Sequence, residues 1–398
     1  MNKLANIADT LQNLFLYNIN KFHNRDKNIW AFGEWFGEKC NDNSMMLANY
    51  IAENYHVTVY WVCKDSCDTS LLSNKINIVK MGSEKCKTVI HTAKVFVMNQ
   101  NFHDFSRNGW NFYGGAITIN LWHGVMWKRL GSSIEDKNAL VKYYYHLYYK
   151  AHEAQYWVSV SDKYSDAIEE AFGVDKKNII NSGLPRNALF YNPIMLSEAK
   201  KRILSAIKKN NCIPENPYII SYMPTFRDEK DSLFDFNSFA DDENFIEFLE
   251  SNNVIIIQKA HFVSEHRTHE TVSRKISRII NENEVSAQDL LASSDMLITD
   301  YSSCFFDYLL LDRPIIHFLY DYEYYKNHDR GLYYEWNQVN GGDVVFNKID
   351  LLNAIIKNME HPEKEKELRK KRVREFLSYE NKDSCKEIAD YIYKLATN

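Results

Sequence analysis

The chain has 398 residues, with 48 Lys and Arg against 53 Asp and Glu, for a formal net charge of −5. That length exceeds one ordinary core and suits two domains, and the charge balance excludes nucleic acid as a general partner, because its binders carry a concentrated basic excess. With 26 Tyr and 22 Phe but only 13 Gly and 7 Pro, disorder and an all-β fold are both disfavoured.

The first stretch, MNKLANIADTLQNLFLYNINKFHNR, carries an apolar helical stripe at Leu4, Ile7, Leu11, Leu14 and Phe15, without the unbroken apolar core and cleavage site of a signal peptide. Such a stripe suits packing on its own domain or lying on a membrane surface. Nowhere do 18 apolar residues run together, so no segment reads as spanning a bilayer. Next, NIWAFGEWF, VTVYWVC, KVFVMN, AITINLWHG and YWVSVS predict strands, with NSMMLANYIAENY and DKYSDAIEEAF as helices. Within this series LVKYYYHLYYKAHEAQYW, with Lys142 and Lys150, is a second candidate for membrane or acceptor contact.

After IINSGLPRNALFYNP comes a lysine-rich helix, SEAKKRILSAIKKN, and then a second series of strands: PYIISYMPT, NVIIIQKA, MLITD and RPIIHFL. Strands alternating with helices predict parallel sheets covered on both faces, so the fold class is α/β with two doubly wound domains, 1–195 and 196–398. The last helix is expected to pack back on the first domain. Ligands of such sheets gather at the carboxyl ends of the strands, which between two such domains means a central cleft.

Seven cysteines without a CxxC pair argue against a disulfide framework and against structural zinc. No HExxH, no strand-end DxD and no clustered Cys/His spacing marks a metal site, and Asp241-Asp242 reads as a solvated loop. No cofactor is required on this reading. A Mg2+ ion bridging phosphates is the one metal left open.

Chemistry-bearing residues fall at strand ends. His123 ends one in NLWHGVMWKRLG, Thr225 and Arg227 follow another in SYMPTFRD, and Lys259 and His261 follow a third in IIIQKAHF. Ser302 and Ser303 follow a fourth in LITDYSSCFFDYLLLDRPIIHFL, where a helix start would present unpaired N–H groups to an anion or be capped by one serine. Two histidines with Arg, Lys and a helix start suit a hydroxyl nucleophile and a diphosphate leaving group: the imidazole takes the proton, and the cations and N–H groups take the phosphate charge.

The segments WHGVMWKRLG, GLPRNALF, YMPTFRD, KAHF and ITDYSSCFFDYLLLDRPIIHF occur in the order and approximate spacing of the CDP-glycerol glycerophosphotransferase family, the teichoic-acid primases and polymerases, which this chain resembles over roughly residues 28–380. The opening IWAFGEWFGEKCNDNSMMLANYI also resembles that family's start. The resemblance implies a GT-B-like pair of Rossmann-type domains, with CDP-glycerol held mainly by the second. It implies transfer of glycerol phosphate to a hydroxyl of a polyprenyl-diphosphate-linked saccharide or a glycerol-phosphate polymer, with release of CMP, in teichoic-acid or capsule-type biosynthesis. His123 and His261 match the family's catalytic histidines. Thr225, Arg227, Lys259, Ser302, Ser303 and Asp307 are assigned to the donor; Gly124, Lys128 and Arg186 are assigned to the acceptor or cleft. The expected place is cytoplasmic, peripheral on the inner face of the bacterial membrane, with no nucleic acid partner. Two departures stand out: Phe262 where the family usually has Pro, and Gly341-Gly342 where Pro-Gly is common. A CDP-ribitol or other polyol phosphate transferase, a GT-B nucleotide-sugar glycosyltransferase releasing a nucleoside diphosphate, and a noncatalytic membrane-associated binding protein stay open as alternatives.

Overall fold

A computed structural model describes residues 3–133, 143, 148–149, 151–225, 234–239, 241–259, 276–282, 285–328 and 331–397. The chain divides into two compact units. The first comprises Met1–Ala188, Arg330–Tyr333 and Phe376–Asn398, and the second Leu189–Asp329 and Tyr334–Glu375. The final helix, Ser384–Thr397, belongs to the first unit, where it packs on the helix Asn43–Asn54 and on strand Ala93–Met98.

The first unit holds seven strands: β1 (Asp26–Phe32), β2 (Thr58–Cys63), β3 (Asn77–Lys80), β4 (Ala93–Met98), β5 (Ile117–Asn120), β6 (Tyr156–Ser159) and β7 (Ile179–Asn181). They lie in the order β3-β2-β1-β4-β5-β6-β7, and every pairing is parallel. The second holds six, β8 (Tyr218–Met223), β9 (Val254–Gln258), β10 (Ile279–Asn281), β11 (Met296–Thr299), β12 (Ile315–Phe318) and β13 (Asp343–Val345), in the order β10-β9-β8-β11-β12-β13, again parallel throughout. Both orders are the doubly wound, Rossmann-type arrangement. Its direction of winding reverses between β1 and β4 in one sheet and between β8 and β11 in the other. The fold is GT-B-like, as expected.

Composition explains the sheets. The inner strands ITIN and VIIIQ are buried along their whole length, as strands covered on both faces must be, and each fully buried aliphatic side chain contributes about 1.5–3 kcal/mol. The outer strands β3, β7, β10 and β13 went unpredicted. They are three or four residues long and each keeps a residue outside the core, so neither an apolar run nor a period of two announces them.

Local signals set the helices. Ser161 accepts the Tyr164 N–H to start Asp162–Phe172, and Gly173, at φ 66°, ends it in the left-handed conformation that glycine adopts cheaply. Asn192 caps Pro193–Lys208, whose first-turn proline needs no N–H partner.

Candidate functional site

In the first unit the site grows from three neighbouring strand ends. After β5 the chain turns at Trp122, a non-glycine residue at φ 54°, a conformation that costs energy unless its surroundings impose it. They do so one carbonyl at a time. The Asn43 amide donates to the Trp122 carbonyl at 2.8 Å, Arg186 Nη1 to the His123 carbonyl at 2.9 Å, and the Tyr164 hydroxyl to the Gly124 carbonyl at 3.0 Å. Asn120 Oδ1 also accepts the Trp122 N–H at 2.8 Å. The His123 ring is half-buried, 4.2 Å from the Trp122 ring and 5.4 Å from Trp35.

His123 Nδ1 lies 3.3 Å from the Asn99 carbonyl oxygen, just past β4. A carbonyl can only accept, so a neutral ring in this contact carries its hydrogen on Nδ1 and its lone pair on Nε2. The basic atom is thereby fixed. Arg186 is buried, and its Nη1 donates to both Asp42 oxygens, at 3.0 and 3.3 Å. Asp42 is the N-cap of the helix Asn43–Asn54, and its Oδ2 accepts the Trp35 indole N–H at 3.0 Å.

After β1, Trp35 and Phe36 sit at φ 49° and 58°. Two consecutive aromatics in the left-handed region require support, and buried polar groups supply it. Asn99 Oδ1 takes the Trp35 N–H at 3.0 Å, and Asp104 Oδ1 takes the Phe36 N–H at 2.8 Å. Asp104, fully buried, is pushed up to about 7 by burial. The Glu34 carboxyl is raised well above the usual range, first by burial and then by the charge of Asp42, while it accepts the N–H groups of Asn41, Asp42 and Met45. Lys128 pairs its backbone with Leu332 and holds its ammonium 5.9 Å from the Trp127 ring centroid.

In the second unit three predicted residue groups end up on adjacent strands. Lys259 directly follows β9, Thr225 follows β8, and Ser302 and Ser303 follow β11, with the Lys259 N–H on the Tyr222 carbonyl at 3.0 Å. Asp300, with no exposed surface, ties two of these ends together by accepting the Thr225 N–H at 2.7 Å and the Tyr301 N–H at 2.5 Å. The helix after the serines is short, Cys304–Leu309. Ser303 stands at its cap without a side-chain cap bond. Six residues carry little macrodipole, so anion affinity here would rest on individual N–H groups. Asp307 is buried and accepts a hydrogen bond from Gln288 at 3.1 Å. Arg227, His261 and Phe262 lie outside the described residues, as does most of the 140–150 segment.

Residues 15–394 match the family described as CDP-Glycerol:Poly(glycerophosphate) glycerophosphotransferase. The chain belongs to that family. It is similar to the teichoic acid glycerol-phosphate transferase of Staphylococcus aureus (strain NCTC 8325 / PS 47), 26% identical over 380 residues that make up 93% of this chain and 94% of that relative. It is also 26% identical to the teichoic acid poly(glycerol phosphate) polymerase of Bacillus spizizenii (strain ATCC 23059 / NRRL B-14472 / W23), with 86% of each chain covered. Its fold matches the solved structure of the wall teichoic acid polymerase TagF with a TM-score of 0.76 and 21% identity, covering 100% of this chain and 99% of that one.

In this glycerophosphotransferase-family member the His123 turn is surrounded by residues that strand-end reasoning passed over: Trp35, Asp42, Asn43, Asn99 and Tyr164. One signal was available. Glu34 and Trp35 follow the end of β1 with one residue, Gly33, between, at the first sheet's reversal point, where ligands of doubly wound sheets gather. The others act through hydrogen bonds across the sheet, which no spacing records.

The family departure at Gly341 also has a structural reason. His317, fully buried on β12, accepts the Gly341 N–H on Nε2 at 3.1 Å, a bond that a proline in this place could not donate. Burial lowers the His317 imidazole to about 3. The unfolded chain, titrating near the ordinary value of about 6.5, takes up a proton that the folded protein refuses. Stability from this group is therefore complete above about pH 6.5 and is lost as pH falls toward 3. Between pH 7.5 and 5.5 this loss amounts to about 1 kcal/mol, and His317→Asn should flatten that part of the melting profile. An unchanged slope in a folded variant refutes it.

Proposed function

We propose that the chain transfers glycerol phosphate from CDP-glycerol to a hydroxyl of a glycerol-phosphate polymer or a polyprenyl-diphosphate-linked saccharide, releasing CMP. The observation that carries this reading is the clamped His123 turn, which fixes a basic Nε2 at a strand end in a chain of this family. In the proposed step Nε2 takes the acceptor hydroxyl's proton while its oxygen attacks the glycerol-linked phosphorus. The bond from that phosphorus to the oxygen bridging toward the cytidine side breaks, and CMP leaves with the electron pair. Lys259, Thr225, Arg227 and the N–H groups around Ser302 and Ser303 neutralise charge on the donor phosphates, with His261 as the second histidine of the reaction.

The chain is also proposed to work peripherally at the inner face of the bacterial membrane. The helix Lys3–Asn20 supports this through its amphipathicity. Thr10, Asn13 and Asn20 are buried, while Ile7, Leu11, Leu14, Phe15, Ile19 and, just beyond the helix, Phe22 are exposed, Phe22 at 91%. Among the described residues no helix is long and apolar enough to cross a membrane. Co-flotation of the purified chain with lipid vesicles tests the location.

The decisive experiment for the reaction incubates the protein with CDP-glycerol and each acceptor class, reading nucleotide release and acceptor mass together. CMP appearing with an acceptor heavier by one glycerol phosphate is the expected result. Release of CDP, or growth only with CDP-ribitol, overturns the reading in favour of a glycosyl or ribitol-phosphate transferase.

A further inference from the structure

The Asp42 carboxylate reaches His123 by two independent routes. Through Arg186 Nη1, which donates to both Asp42 oxygens and to the His123 carbonyl, it holds the backbone. Through the Trp35 indole, whose N–H donates to Asp42 Oδ2 and whose ring lies 5.4 Å from the imidazole, it holds the ring. Arg186 closes the frame a third way: its own N–H donates to Asn43 Oδ1 at 3.0 Å, and the Asn43 amide grips the Trp122 carbonyl. The ion pair is nearly dry, with 8% of the Arg186 side chain and 7% of the Asp42 side chain exposed.

We propose that Asp42 and Arg186 are a positioning pair for His123, holding the imidazole at the angle and in the Nδ1–H tautomer that leave Nε2 to the acceptor hydroxyl. Neither residue touches substrate in this role. The inference rests on the reading of His123 as the base. Plain fold maintenance is the competing account. Buried ion pairs are frequently replaceable by neutral groups at little cost in stability, so a pair kept only for folding would be dispensable to the chemistry once its charges are removed together. Geometry near a reacting atom is less forgiving, since a displacement of about 1 Å can cost about a hundredfold in rate.

Three variants of the full chain separate the two: Asp42→Asn, Arg186→Gln, and the neutral double Asp42→Asn with Arg186→Met. For each, kcat and the KM for CDP-glycerol are measured, together with thermal melts and the imidazole nitrogen NMR signals of His123. Asp42→Asn is expected to lower kcat by about 10- to 100-fold, with KM within about twofold. The imidazole signals should lose their pure Nδ1–H character. Arg186→Gln strands a buried carboxylate and is expected to melt early; the neutral double should recover the melting temperature but not kcat. If the double recovers both, or if Asp42→Asn leaves kcat and the tautomer at parent values, the pair is structural only and the inference falls. Should His123→Ala retain full turnover while the tautomer still responds to Asp42→Asn, the reading of His123 as base fails and the positioning of its ring stands. The NMR signal is read without turnover, so the two failures cannot be confused.

Discussion

Replacing His123 with alanine lowers turnover by about two to four orders of magnitude, the range for losing a general base, while the protein stays folded. Both halves of this expectation follow from where the turn is held. The bonds from Asn43, Arg186 and Tyr164 all end on main-chain carbonyls, which alanine keeps. What alanine removes is a half-buried ring at the surface of the turn, whose contacts include the 3.3 Å approach to the Asn99 carbonyl and the Trp35 and Trp122 rings, while the main-chain clamp remains. The Nε2 lone pair goes with the ring, and no water held in its place has comparable basicity near pH 7. The measurement is steady-state CMP release beside a thermal melt. A folded variant with near-parental turnover would take His123 out of the mechanism.

Gly342→Ala is expected to prevent stable folding of the second unit. A Cβ at this residue would stand 1.9 Å from the Ile315 carbonyl oxygen and 2.8 Å from its carbonyl carbon, closer than any real contact. The obstacle is backbone, and it belongs to β12, which pairs with β11 on one side and β13 on the other, with Ile316 opposite Asp343. Relieving the clash means prying two paired strands apart, which exceeds about 4 kcal/mol and so a large share of a domain's net stability. Gly341→Ala is the control. Its Cβ would meet Leu309 Cδ2 at 2.6 Å, the end of a side chain that can turn aside, so the cost should be milder. Yields of folded protein and urea midpoints distinguish the two. Equal stability of both variants would show that the strands yield more easily than their pairing implies.

Much of this was legible in the sequence. The nine strands predicted from apolar runs are all present, and DKYSDAIEEAF is helical from its first residue to its last because Ser161 before it and Gly173 after it supply the stop signals. The outer strands were not legible. In a run as short as DVV, pairing with β12 rather than any pattern of its own makes the strand. The helix after the serines and the strand RPIIHFL were both legible, because Asp312, Arg313 and Pro314 separate the helix Cys304–Leu309 from β12.

By itself the sequence determined the kind of fold, the family, and the strand ends that carry His123, Thr225, Lys259 and the two serines, because apolar periodicity and short motifs are local properties of a chain. Only the tertiary structure decided which atoms act on those residues. Asp42 and Arg186 stand 144 residues apart, and Arg186 and His123 stand 63 apart. Their bonds arise because parallel strands deliver distant segments to the same edge of one sheet. A buried ion pair holds only where that edge excludes water and fixes both partners, a condition no local pattern encodes.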